Sequence, residues 1–235
     1  MKLTEPRGGT WRVGHGRSID LNGPACIMGI LNATPDSFSD GGRYASVDAA
    51  VAESLRMVEA GATIVDIYRS ETARMAVEAG AHIVNDIWGA QKDPGIATVA
   101  AETGAGLCLM HNGRERETLE DMIADQYLFL NRSLDIARGA GVPAEAIVVD
   151  PGFGFAKDGP QNLILLTRLD ELQALGHPLL VGTSRKRFVR GAVGREDPEP
   201  DIATAATSAL MRERGADIFR VHNVAANRDA LRVTD

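Results

Sequence analysis

An arginine and a histidine two residues apart, Arg220 and His222, close the segment DIFRVHN. Period-two alternation about Val221 puts both side chains on one side of a strand, where a planar guanidinium fork and an imidazole can reach a single phosphate. The plainer reading of such a pair is an arginine neutralised by a nearby carboxylate. Comparable residues recur where other apolar runs stop. The segment MGILNATPDSFSDGG at 28–42 leads from Met28, Ile30 and Leu31 into Asn32, Asp36, Ser37, Ser39, Asp40, Gly41 and Gly42; AIVVDPGFGF carries Asp150 and Phe155; LLVGTSRKRF carries Ser184 and Lys186. A loop that follows a buried strand lies at the surface, where a small molecule arrives. Asp36, Ser39 and Asp40 do not make a calcium loop, because Phe38 takes an oxygen-ligand position and Val47 stands where the closing Glu belongs. GFGFAKDG has Lys157 in place of the third glycine of a dinucleotide fingerprint. No Ser, Cys or Lys is set beside a base in a convincing nucleophile pattern.

Seven apolar runs must hold these side chains, at 25–32, 63–67, 82–87, 106–111, 146–150, 179–183 and 217–222. Between them, 47–60, 70–79, 94–103, 118–139, 161–175 and 202–214 carry apolar residues at helical spacing, several closed by Gly61, Gly80, Gly104 or Gly215. That rhythm predicts an α/β fold of parallel strands with helical crossovers. Asn32, Asp66, Asn85, Asp86, His111, Asp150, Lys186 and His222 all fall at or just past strand ends. So many polar strand ends suit the carboxyl face of a TIM-type (β/α) barrel better than an open sheet, which needs them only beside its switch point. Capping or turn formation is the alternative role for each; it suits Asp86 better than Asn85 and weighs equally with function at Asp66. His111 reads as structural, and RERE at 114–117 as a solvated helix entry.

A chain of 235 residues with 44% hydrophobic content forms one core, so 1–235 is expected to be a single domain. The formal charge of −7 gives no basic excess for a nucleic-acid backbone. Cys26 and Cys108 lie inside apolar runs and read as core residues in a reducing cytosol. With no apolar signal core and no long apolar stretch, a cytoplasmic protein without membrane contact is expected.

Together, the strings around Asn32, Asp150, Lys186 and Arg220 resemble the dihydropteroate synthase family, pterin-binding TIM-barrel enzymes of folate biosynthesis. The resemblance spans almost the whole chain, with one departure. In the family pattern a strand ending in Val-Asp-Ile leads through a Ser-Thr-Arg-Pro loop and a helix to a strand ending in Asp-Thr-Tyr-Arg. Here ATIVDIYRSETARMAVEAGA passes from one strand into the helix of the next unit. One loop–helix–strand segment is thus absent after Asp66, and seven strands are readable instead of eight.

The resemblance implies a transferase that condenses 6-hydroxymethyl-7,8-dihydropterin diphosphate with para-aminobenzoate, giving 7,8-dihydropteroate and diphosphate. It implies that Asn32, Arg220 and His222 hold the diphosphate, that Asn32 also meets Mg2+, and that Phe155, Ser184 and Lys186 line the arylamine site. The pterin falls to Asp66, Asn85, Asp150 and Lys186, and the catalytic set is Asn32, Lys186, Arg220 and His222. The chemistry agrees: a carboxylate such as Asp150 accepts the paired N–H donors of an aminopyrimidinone edge, and the Asn85 amide both donates and accepts. One amide oxygen is a weak magnesium site, so the ion is expected to come with substrate phosphate. A homodimer built through late helices and inhibition by sulfonamides are further implications. Two readings stay open. A methyltetrahydrofolate-dependent methyltransferase domain would need no diphosphate site; a non-catalytic pterin-binding protein is favoured by the missing segment. Without the Ser-Thr-Arg-Pro loop, the chain is expected to bind pterin diphosphate better than it turns over.

Overall fold

A computed structural model describes residues 9–32, 47–68, 73–194 and 200–235; Asp36, Ser37, Ser39, Asp40, Gly41 and Gly42 lie outside them. All seven expected strands form: β3 (Cys26–Asn32), β4 (Ile64–Tyr68), β5 (Ile83–Asp86), β6 (Gly106–Met110), β7 (Ile147–Asp150), β8 (Leu180–Val181) and β9 (Ile218–Val221). They follow an amino-terminal hairpin of β1 (Thr10–Val13) and β2 (Arg17–Asp20). Hydrogen bonding links β4-β3-β9-β8 and β5-β6-β7, all parallel, and a bridge from Val149 to Leu179 joins the two sets. The order β4-β3-β9-β8-β7-β6-β5 is that of a (β/α) barrel in which sequence neighbours are spatial neighbours. Among the described residues no register pairs β4 with β5. That seam is where the sequence lacks a strand.

Strand alternation sorts the side chains into two layers. Ile27, Leu31, Val65, Val84, Leu107, Leu109, Val149, Val181, Phe219 and Val221 pack outward against helices. Cys26, Met28, Ile64, Ile83, Cys108, Val148, Leu180 and Ile218 pack inward. Being buried on both faces explains why these strands read as continuous apolar runs rather than alternating ones. The hairpin closes one end of the interior: Trp11, fully buried, donates its indole N–H to the Ala146 carbonyl (3.0 Å), and the Gly14 amide donates to the His82 carbonyl (2.8 Å).

The helices are α1 (Val47–Glu59), α2 (Ala73–Glu78), α3 (Gly95–Thr103), α4 (Met122–Gly139), α5 (Gly159–Thr167), α6 (Arg187–Val193), α7 (Pro200–Arg212) and α8 (Val224–Leu231). Three depart from the sequence reading. The helix expected at 118–139 starts later, at the cap Asp121, whose carboxylate accepts the Ile123 and Ala124 amides. The one expected at 161–175 starts earlier, at an Asp158–Gln161 capping box, and breaks at Arg168 into a 3-10 turn, Leu169–Leu175. The helix expected at 70–79 is confined among the described residues to α2.

Candidate active site

The inward layer continues past the apolar floor into polar side chains at one end of the barrel. By the alternation set by Ile64, Ile83, Val148 and Ile218, the side chains of Asp66, Asn85, Asp150, Arg220 and His222 all point to the interior. Asn32 ends β3 opposite Tyr68 in register. The buried thiol of Cys108 lies at the floor of this group: burial raises its pKa, and the charges of Asp150 and Asp66 add to that while Arg220 opposes them. One basin therefore gathers Asp66, Asn85, Asp150, Arg220 and His222.

At its acidic side, Asp150 is buried and accepts the Gly152 amide at 2.7 Å. Burial pushes its carboxyl up, against the pull of Lys186 and Arg220. Lys186, in the loop after β8, donates to the Phe153 carbonyl, and its ammonium stands 4.8 Å from the Phe155 ring centroid. Burial, then Arg220, lowers the Lys186 pKa to about 8 in spite of Asp150. The guanidinium of Arg114 lies 5.2 Å from the same ring. Phe155 and Lys186 border a cavity of about 790 Å³ that Arg114, Lys157 and Arg187 make cationic.

At the cationic side, Arg220 is held by a carboxylate. Its Nε and Nη2 donate to one oxygen of Asp66 at 2.7 and 2.6 Å, across the intervening β3. The two readings weighed for Arg220, anion ligand and ion-pair partner, thus meet at one residue, since Asp66 stands at the same mouth. His222 is fixed by Ser184, whose Oγ lies 2.9 Å from Nδ1 and accepts the His222 amide at 3.2 Å. A Ser184 hydroxyl donating to Nδ1 leaves the ring proton on Nε2. Ser184 therefore stands beside the histidine as well as two residues from Lys186. Asp86, by contrast, accepts the Trp88 and Ala90 amides and holds the turn after β5, as a turn residue should.

Sequence reasoning missed a buried cluster behind the Asp150 loop. His111 Nε2 lies 2.9 Å from Asp125, and Lys157 Nζ lies 2.9 Å from His111 Nδ1. Arg116, read as a solvated residue of RERE, instead donates to both Asp125 oxygens at 2.9 and 2.5 Å. Burial pushes the Asp125 carboxyl up, but the bonds from His111, Arg116 and the Leu119 amide outweigh it and hold the group well below the usual carboxylate range. The members are up to 46 residues apart in sequence, so no local spacing announces them.

A family profile described as "Pterin binding enzyme" matches residues 28–72 and again 65–222. The two matches share 65–72, so one stretch of this chain answers to two places in the profile, as a missing segment after Asp66 requires. A dihydropteroate synthase of Streptococcus pyogenes is 40% identical over 255 residues, covering 91% of this chain and 96% of the relative. That span exceeds the 235 residues here, so the relative carries residues this chain lacks. A Bacillus subtilis dihydropteroate synthase is 39% identical, with 84% and 83% covered. Among solved structures, the Xanthomonas albilineans dihydropteroate synthase with 4-aminobenzoic acid has a TM-score of 0.85 at 34% identity, covering 95% of this chain and 97% of its own. The same enzyme in complex with 7,8-dihydropteroate gives 0.84 at 36% identity, covering 94% and 97%.

Proposed function

This chain belongs to the dihydropteroate synthase family, a family of transferases on a TIM-type barrel, and we propose the following division of labour at its barrel mouth. The reaction condenses 6-hydroxymethyl-7,8-dihydropterin diphosphate with para-aminobenzoate. Asp150 accepts the paired N–H groups of the pterin, Asn85 meets its mixed edge, and Lys186 supplies a cation at the same ring. The bond between the exocyclic methylene carbon and the diphosphate oxygen breaks, its electron pair leaving with diphosphate. Arg220 and His222 stabilise that charge, with Asn32 beside them. The arylamine nitrogen then bonds to the methylene carbon and releases its proton. Phe155 walls the arylamine and Lys186 faces both substrates, with Ser184 holding His222. Catalysis of this kind rests on leaving-group electrostatics and positioning rather than a covalent intermediate. The observation that carries the assignment is the sharing of one basin by Asp150, Lys186 and Arg220.

The Arg220–Asp66 pair supports an anion site that is aimed in advance: a diphosphate carries more charge than one carboxylate and competes for the same donors. Magnesium is assigned to the diphosphate rather than to a resident centre. Among the described residues no group of three or more His, Cys, Asp or Glu is placed to hold a metal ion, and Asn32 offers one neutral oxygen, so the remaining ligands come from phosphate and water. When bound, the ion supplies further neutralisation of the leaving group. A homodimer through α7 is supported by its exposed Ile202 and Leu210, eight residues apart on one helical face. Sulfonamides, as arylamine analogues, are expected to compete with para-aminobenzoate.

The test is incubation of the purified chain with pterin diphosphate, magnesium and para-aminobenzoate, with mass detection of dihydropteroate and release of diphosphate. Matched formation of both products is expected. Calorimetric binding of the pterin without either product would move the reading to a non-catalytic pterin binder, which the seam between β4 and β5 favours.

A further inference from the structure

We propose that Lys157, oriented by His111 and Asp125, is a positioning residue for the arylamine side of the pocket, fixing the loop at 150–156 so that Phe155 stands at the mouth against Lys186. The inference rests on the functional reading above for its substrate but on the loop's geometry for its substance. Three residues of that loop alternate in the left-handed region: Gly152 (φ 67°), Gly154 (φ 75°) and Ala156 (φ 50°). This alternation turns successive carbonyls toward two lysines. Phe153 O accepts from Lys186, whereas Gly152 O and Phe155 O accept from Lys157 at 2.9 and 3.4 Å.

An ammonium has three protons, and Lys157 has three acceptors, the third being His111 Nδ1. Although Lys157 borders the cavity, its protons are committed to the loop and to His111, so it acts on substrate through Phe155. The histidine's role follows from the same bond. With Nδ1 accepting from an ammonium, Nε2 carries the ring proton and donates to Asp125 at 2.9 Å. The approach of Arg116 Nη2 to Nε2, also 2.9 Å, is then not a hydrogen bond; both groups converge on the shared Asp125 oxygen. Burial holds the His111 pKa down to about 4, which agrees with a neutral ring. Helix α4 adds a second tie to the loop, since Gln126, next to Asp125, donates to the Pro151 carbonyl at 3.1 Å. From the other side the Asn162 side chain accepts the Gly154 amide at 2.7 Å and donates to the Lys157 carbonyl at 3.0 Å. Asp150 itself sits on β7 and is fixed by the barrel. Losing Lys157 should therefore displace Phe155 more than the pterin-reading carboxylate.

The charged neighbours give this arrangement a pH signature. Burial lowers the Lys157 pKa to about 7; Asp150 and Asp125 oppose that, and Lys186 and Arg116 add to it. The protonated form is the one with three donors, so the hold on the loop weakens as pH rises through neutrality.

The experiment compares the full chain with its Lys157→Met variant. KM for para-aminobenzoate should rise roughly tenfold or more while the Kd for pterin diphosphate and kcat each change less than about threefold, the pattern of one misplaced wall. In the wild type that KM should also climb between pH 6.5 and 8, and in Lys157→Met the climb through 7 should be gone, leaving only the rise near 8 that Lys186 brings. Hydrogen exchange should quicken at residues 152–156 and stay unchanged in α4. An unchanged arylamine KM, or equal losses for both substrates with faster exchange throughout, would overturn the proposal. If the wild type makes no product, the functional reading fails by itself. Exchange then still decides the positioning role, because equal rates at 152–156 in both proteins would refute it.

Discussion

Lys186 faces opposing influences, and their balance is measurable. Burial and Arg220 weaken its hold on a proton while Asp150 strengthens it, bringing the pKa from 10.5 to about 8. Only the ammonium can serve the pterin ring and the carboxylate of Asp150, so kcat/KM for pterin diphosphate, which reports the free enzyme, should fall as pH rises through about 8. The kcat limb should lie higher, because the bound anion favours the charged lysine. Stability runs the other way. With the folded pKa below the unfolded one, the unfolded chain binds more protons between about 8 and 10.5, so this residue's contribution to stability rises with pH across that window. Lys186→Met should remove the limb and lower kcat/KM at neutral pH by roughly a hundredfold, the scale of one lost electrostatic contact in the transition state. A wild-type kcat/KM constant from pH 7 to 9 would count against the assignment. Lys186 and Asp150 were legible from their strand-end positions. The Asp66–Arg220 pair was not, because its partners are 154 residues apart and meet only when β3 is flanked by β4 and β9.

The loop at 150–156 shows how an element can be dictated by one close approach. A Cβ on Gly152 would lie 2.0 Å from the His111 carbonyl oxygen, and the residue's φ of 67° is already costly for any side chain. Gly152→Ala should therefore cost about 2 kcal/mol or more, combining left-handed strain with a forced shift of the loop against β6. Gly139→Ala, in the last turn of α4 with open space around it, should be neutral or stabilising by about 0.5–1 kcal/mol. Urea denaturation of both variants checks the contrast, and equal midpoints would sink it. The strands were readable because their residues are apolar on both faces, as Leu107 to Leu109 illustrate. Elements outside that rule were not read. In α6, RFVRGAV mixes arginines and a glycine into seven residues, too few for a period to emerge. In α8 the informative signal was the cap, Asn223, whose side chain accepts the Ala226 amide. The hairpin β1–β2 turns through His15 and Gly16, both at positive φ, and its charged strands hide the buried Trp11 and Val13.

At the scale of the molecule, the seam between β4 and β5 sets what the chain can do. Helix α1 packs on β3 and β4 and α2 on β5, and on these two helices Leu55, Val58 and Met75 are exposed. Apolar side chains on both borders of the seam are what a missing crossover helix would leave uncovered. Of the residues proposed to read the pterin, Asp150 and Lys186 lie on the opposite arc, beyond β6, and Asn85 alone stands on β5 at one border of the seam. Asp66 lies on the other border strand, with its ion-pair partner Arg220 two strands away. Binding and turnover should therefore separate. Grafting the loop–helix–strand segment of a relative between Ile67 and Tyr68 should raise kcat by roughly tenfold or more, the scale of restored positioning, while changing the pterin diphosphate Kd little. The graft should also raise the unfolding midpoint and lower binding of an apolar dye, because Leu55, Val58 and Met75 become covered. If the grafted and natural chains turn over equally, the seam carries no catalytic penalty, and seven strands are enough to position the arylamine.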